Sequence, residues 1–153
     1  MKITFLWMGK AKHKEYQKLQ EIYLGRLKHY CKFEVKELKE IKHKDPQELK
    51  NLEGELFLAQ IKPSDHLILL DETGRATTSR QLAKQQQSFM NRSQNIVFLI
   101  GGAHGVSQAV FDRSNSTLSL SEMTLTHDMA RILLLEQVYR AHTILRGEKY
   151  HND

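Results

Sequence analysis

The sequence contains a single cysteine, Cys31, so no disulfide can form within the chain. Its stability must come from a packed core, as suits a reducing compartment. No apolar stretch approaches the roughly 20 residues that a membrane-spanning helix requires. The apolar start MKITFLWMGK is too short for a signal segment, and the residues from Lys10 to Lys14 are mostly charged. The expected location is therefore cytoplasmic. Cysteine pairs and histidines spaced four apart are both missing, and His104, His127 and His151 are scattered, so no metal is expected. There is no G-x-S-x-G elbow to present a serine nucleophile. Cys31 lies in a lysine-flanked amphipathic stretch with no partner for catalysis.

What is present is enough for one domain spanning 1–153, with a core that needs neither disulfides nor metals. Lys and Arg number 23 against 18 Asp and Glu, a net charge of +5 that favours polyanions such as nucleic acid. Apolar runs at Ile3–Trp7, His66–Asp71, Asn95–Ile100 and Ser116–Ser121 predict strands, and the alternating Phe33–Leu38 a half-exposed one. Between them, three- and four-residue spacings predict helices. The first carries Tyr16, Leu19, Tyr23, Leu27 and Tyr30. The second is capped by Asp45, with Pro46 at its first position, Glu48 at a capping-box spacing and a stripe of Leu49, Leu52, Leu56 and Ala59. Thr78 or Ser79 caps a third helix bearing Leu82, Phe89 and Met90, and Ser107 a short one bearing Val110 and Phe111. Asp128 opens the last helix and Gly147 ends it. A β-α unit repeated five times predicts an α/β fold, a mainly parallel sheet with helices on both faces. The last helix has one stripe of Ala130, Leu134, Val138, Ala141 and Leu145, while Ile132, Leu133 and Ile144 point elsewhere. Such a helix needs more than one neighbour. A homodimer packed through it supplies one; full burial in the chain's own core supplies another.

Ligands of open α/β sheets sit beyond the carboxyl ends of the strands. Three such ends stand out: Leu70–Gly74, Gly101–Gly105 and Leu120–Leu125. The glycine corner FLIGGAHG has no Lys-Ser/Thr for a P-loop and does not match G-x-G-x-x-G. It suits either a tight turn or a close approach to a ligand that is not strongly anionic. The neighbours Asp71 and Glu72 read as ordinary turn acids. The tail EKYHND places Tyr150 beside His151, either a frayed end or the edge of a site.

Three segments, MKITFLWMGK, FLIGGAHG and LSLSEMTLTHDMARILLLEQVYRAHTILRGEKYH, resemble the small bacterial SPOUT methyltransferases. More narrowly they resemble the family that methylates N3 of a pseudouridine in large-subunit ribosomal RNA. EQVYRA followed by RGEKYH is the specific part of the likeness, which runs from Met1 to His151. The resemblance implies a C-terminal trefoil knot and a homodimer. It also implies S-adenosylmethionine as methyl donor, held by Leu70, Gly101, Leu120, Ser121, Glu122, Met123, Thr124 and Leu125. It brings in the tail as catalytic, with His151 as base or orienter, Tyr150 stacking on the target base, and Arg140 or Arg131 on phosphate or the developing anion. His104 stands where other members carry a different residue, so no essential role is expected for it. The implied partner is 23S rRNA in the ribosome, with neither DNA nor a membrane. The other readings are a SPOUT methyltransferase acting on tRNA and a non-catalytic RNA- or ribosome-binding protein of the same fold.

Overall fold

Five short apolar runs become five strands: β1 Lys2–Met8, β2 Lys32–Leu38, β3 His66–Leu70, β4 Ile96–Ile100 and β5 Ser116–Leu118. The computed structural model, which describes residues 1–153, pairs all of them in parallel in the order β2-β1-β4-β3-β5. Helices α1 (Lys14–Leu27), α2 (Pro46–Leu58), α3 (Ser79–Asn91), α4 (Gln108–Arg113) and α5 (His127–Leu145) alternate with them. The fold class is the expected one, and the sheet is wholly parallel. No helix is long and apolar enough to cross a membrane.

Side chains alternate across the strands and divide the core in two. Ile3, Phe5, Trp7, Ile68, Ile96, Phe98, Ile100 and Leu118 face one layer, packed with Leu27 of α1, Leu82 and Phe89 of α3, and Leu134, Leu135, Val138 and Ala141 of α5. Leu6, Met8, Leu67, Leu69, Val97 and Leu99 face the other, with Phe57 of α2 and Val110 of α4. Phe5 and Phe98 stack across β1 and β4 with centroids 5.9 Å apart. Each fully buried side chain of this size contributes on the order of 2 kcal/mol.

The caps follow the sequence closely. Asp45 accepts from the Gln47 amide, Thr78 forms a reciprocal capping box with Gln81, and Ser107 accepts from the Val110 amide. Gly147, with φ +68, closes α5 in the left-handed conformation. Four expectations shift. Thr126 is the cap of α5, and Asp128 lies inside its first turn. Strand β5 stops at Leu118, because Ser119 already bonds to the Arg75 carbonyl in the neighbouring loop. The buried side of α2 is Glu53, Gly54 and Phe57, while Leu56 is 40 % exposed. Met90 and Phe111 are also surface residues. Helix α5 lies on the sheet between α1 and α3, which cover most of its apolar sides, while Leu133 stays half-exposed and outside both core layers.

Candidate functional site

The three strand ends singled out in the sequence converge. The loops after β3, β4 and β5 wall a cleft of about 270 Å³. Hydrogen bonds hold two of the walls together. The Asp71 amide donates to the Leu118 carbonyl, Ser119 Oγ donates to the Glu72 carbonyl at 3.1 Å, and Thr124 Oγ1 donates to Glu72 Oε2 at 2.6 Å. Ser121 Oγ in turn accepts from the Met123 amide at 2.9 Å, fixing the turn that carries Leu120 to Leu125. Of the residues expected to hold the donor, Leu70, Gly101, Leu120, Ser121, Met123, Thr124 and Leu125 line the cleft, and Glu122 lies outside it. Asp71, Glu72 and Gly102 lie in those strand ends without being expected to hold the donor, and they also line the cleft, as does His127, expected only as a scattered histidine. Treating Asp71 and Glu72 as ordinary turn acids hid the fact that they are the only charged carboxylates of the wall. No lysine or arginine lines the cleft. Its apolar walls and acidic rim suit a flat heterocycle joined to a cationic group.

Gly101, Gly102, Ala103, Leu125 and His127 line both this cleft and a second cavity of about 540 Å³, so the two adjoin. A Cβ on Gly101 would meet Val106 Cγ1 at 2.6 Å and the Gly105 carbonyl at 3.2 Å. Glycine there is demanded by the corner's own turn, whatever ligand sits beside it. The second cavity is polar, with Lys10, Lys12, Glu40, Glu53, His127, Asp128 and Arg131 around it. Arg131, expected to meet phosphate or an anion, is instead 4 % exposed. Its guanidinium donates to the Met8 and Gly9 carbonyls and sits 5.0 Å from the Trp7 ring centroid. Those contacts fix the end of β1. His127 lines both cavities. Burial pushes its pKa down, which keeps the ring neutral.

The tail is docked onto α5 and α3. Tyr150 Oη donates to Glu136 Oε1 at 2.9 Å, and Arg140 Nε donates to the same oxygen at 3.0 Å. The Arg140 guanidinium lies 4.6 Å from the Tyr150 ring centroid, and Tyr139 meets that ring edge-on at 4.7 Å. Burial and the Glu136 carboxylate push the Tyr150 phenol well above its ordinary pKa. His151 Nδ1 lies 3.4 Å from Arg140 Nη1, and Nε2 lies 3.0 Å from Asp153 Oδ1. Arg80 on α3 pairs with Asp153 and completes the chain of contacts. Arg140, Tyr150 and His151 thus form one cluster. None of them lines the cleft. Arg140 stands ten residues along α5 from Ala130, the last helical residue of the cleft wall, about 15 Å at helical rise.

The family described as predicted SPOUT methyltransferase matches residues 1–151. Among curated relatives, the chain is 42 % identical to a ribosomal RNA large subunit methyltransferase H of Christiangramia forsetii, over 99 % of both chains. It is 40 % identical to the protein of the same name from Flavobacterium psychrophilum, again over 99 % of both. Among solved structures it is similar to the SpoU methyltransferase AviRb of Streptomyces viridochromogenes in complex with AdoMet. That likeness has a TM-score of 0.47 and 12 % identity, covering 96 % of this chain and 61 % of that one.

Proposed function

The chain belongs to the SPOUT methyltransferase family, and from that premise we propose that it methylates N3 of a pseudouridine in 23S ribosomal RNA with S-adenosylmethionine as donor. The observation that carries the reading is the cleft of three strand-end loops, apolar, rimmed by Asp71 and Glu72 and free of lysine and arginine. A sulfonium is a cation, and such a wall favours it where a basic wall would repel it. Leu70, Leu120, Met123 and Leu125 give apolar surface for adenine, and the loop backbone gives its hydrogen bonds. When bound, the donor supplies an activated methyl group; the protein aligns the acceptor with it and stabilises the nitrogen as its proton leaves. The names of the relatives support ribosomal RNA of the large subunit as acceptor. The surplus of basic residues suits that polyanion.

The same reading takes the C-terminal part to be threaded as a trefoil knot, and the working form to be a cytoplasmic homodimer acting on the ribosome. A second copy answers a geometric need. Within one chain the tail cluster is held on Glu136 and Arg140, six and ten residues beyond Ala130 of the cleft wall, about 9–15 Å along α5. Methyl transfer tolerates no such gap, since reacting atoms must lie roughly 3–3.5 Å apart. A tail from another copy can close it, with Arg140 and Tyr150 on the RNA and His151 orienting the base.

Calorimetric titration with S-adenosylmethionine, followed by methylation of large subunits from a strain lacking the protein, tests the reading. Binding of the donor and appearance of N3-methylpseudouridine are the expected results. No detectable binding sinks every methyltransferase reading, and a mark found only in tRNA moves the acceptor. Removal of Tyr150–Asp153 is expected to abolish transfer while leaving donor affinity unchanged, because no tail residue lines the cleft.

A further inference from the structure

Glu53 projects from the buried side of α2 and is 8 % exposed. A Cβ placed on Gly102 would fall 2.7 Å from Glu53 Oε1 and 2.9 Å from Oε2. The carboxylate is therefore pressed against the glycine corner, which in turn walls the donor cleft. No hydrogen bond holds it; only the more distant charges of His104 and Glu40 act on it, and burial, the largest influence, pushes its pKa up. A buried carboxylate without a donor is costly in a structural role. This one lines the 540 Å³ cavity that adjoins the donor cleft at the corner.

In the tail, the groups that could take a proton are already engaged with one another. The Tyr150 phenol is donating, and both ring nitrogens of His151 are engaged. Methylation at a ring imide nitrogen nevertheless requires that its proton go somewhere. We propose that the second cavity receives the acceptor ring, a uracil-type base with an imide N–H, and that Glu53 is the catalytic residue that takes its proton. This assignment rests on the methyltransferase reading above. In the step, the N3–H bond breaks and the proton passes to a Glu53 oxygen. N3 forms a bond to the methyl carbon, and sulfur keeps the electron pair of the broken S–CH₃ bond. A sulfonium and a carboxylate become a thioether and a carboxylic acid, so both buried charges disappear together. Lys10 and Lys12 also line the cavity, as do Glu40 and Asp128. The two nearby imidazoles are His104, at the corner, and His127, on the wall common to both cavities.

The test compares the full-length protein with E53Q and E53D on unmodified large subunits. Single-turnover transfer is measured against pH, with donor binding and thermal midpoint measured alongside. The wild-type rate is expected to fall on the acid side with an apparent pKa above that of an ordinary carboxylate. E53Q should lose on the order of 10²-fold or more in transfer and the acid limb with it. It should bind the donor within about twofold of wild type and melt no lower, since it removes a buried unpartnered charge. E53D should recover part of the rate. Wild-type transfer with an unchanged acid limb in E53Q would overturn the assignment and pass the proton to His127. Loss of donor binding in E53Q would overturn it in favour of a carboxylate facing the sulfonium, and loss of fold would mark Glu53 as structural. A wild-type chain that binds no donor would overturn the methyltransferase reading and this assignment with it, which separates the two failures.

Discussion

At the scale of single residues, burial decides which ionisable groups are charged, and His142 shows the consequence for stability. It is 3 % exposed on the inner side of α5, and its Nε2 has no partner. Burial first, and the Arg146 charge second, push its pKa down to about 4. In the unfolded chain the ring titrates near its ordinary value of about 6.5. Below that pH the unfolded state takes up a proton that the folded state refuses, so stability is lost as pH falls from about 6.5 towards 4. Between pH 7 and pH 5 the loss from this residue is about 2 kcal/mol. His142→Leu, close in volume and without a titratable ring, is expected to remove most of that difference. Thermal unfolding of both proteins at the two pH values checks it; an equal acid loss in the variant would refute it. Glu53 bears the same kind of burial with the opposite sign, a carboxylate whose pKa is pushed up, and there the perturbation lies beside the candidate reaction.

At the scale of elements, two helical glycines sort by what surrounds them. Gly25 lies in α1 with no atom near the position of a Cβ, so Gly25→Ala only reduces the freedom of the unfolded chain. It is expected to stabilise the protein by roughly 0.5–1 kcal/mol. Gly54 lies in α2 under α4, where a Cβ would meet Ser107 Cβ at 3.2 Å and clash with the hydroxyl that caps α4. Gly54→Ala is expected to destabilise by about 1–2 kcal/mol, the loss of a cap and a strained contact outweighing the better helix propensity. Urea unfolding of the two variants should give shifts of opposite sign. The same neighbourhood explains what the sequence did and did not make legible. Strands β1, β3 and β4 were readable because their runs are apolar on both faces, and the caps at Asp45, Thr78 and Ser107 because capping is local chemistry. The buried side of α2 was not, because it consists of a carboxylate, a glycine and one phenylalanine, which leave no apolar period to find. That failure also concealed Glu53. Arg131 was misread for the same reason: an arginine in the sequence gives no sign that its guanidinium is spent on the carbonyls that end β1.

At the scale of the whole molecule, most of the apolar surface of α5 that first suggested a second copy is covered by α1, α3 and the sheet, with Leu133 left half-exposed. Leu134 and Val138 are fully buried, so a charge placed there would report folding rather than association. The case for a dimer now rests on the separation of tail and cleft. If one copy's tail serves the other's cleft, each site takes its donor from one chain and its Arg140, Tyr150 and His151 from another. A chain lacking Tyr150–Asp153 keeps an intact cleft but lends no tail. Ala103→Trp, at an exposed position of the cleft wall, should fill the cleft and leave the tail intact. Each protein alone is expected to be inactive. Refolded together in equal amounts, half of the random pairs are mixed, and each mixed pair has one complete site of two. About a quarter of wild-type methyl transfer should return, with sedimentation giving twice the chain mass throughout. A tail that reached its own chain's cleft by bending back would make every site local, and the mixture would stay as inactive as its parts.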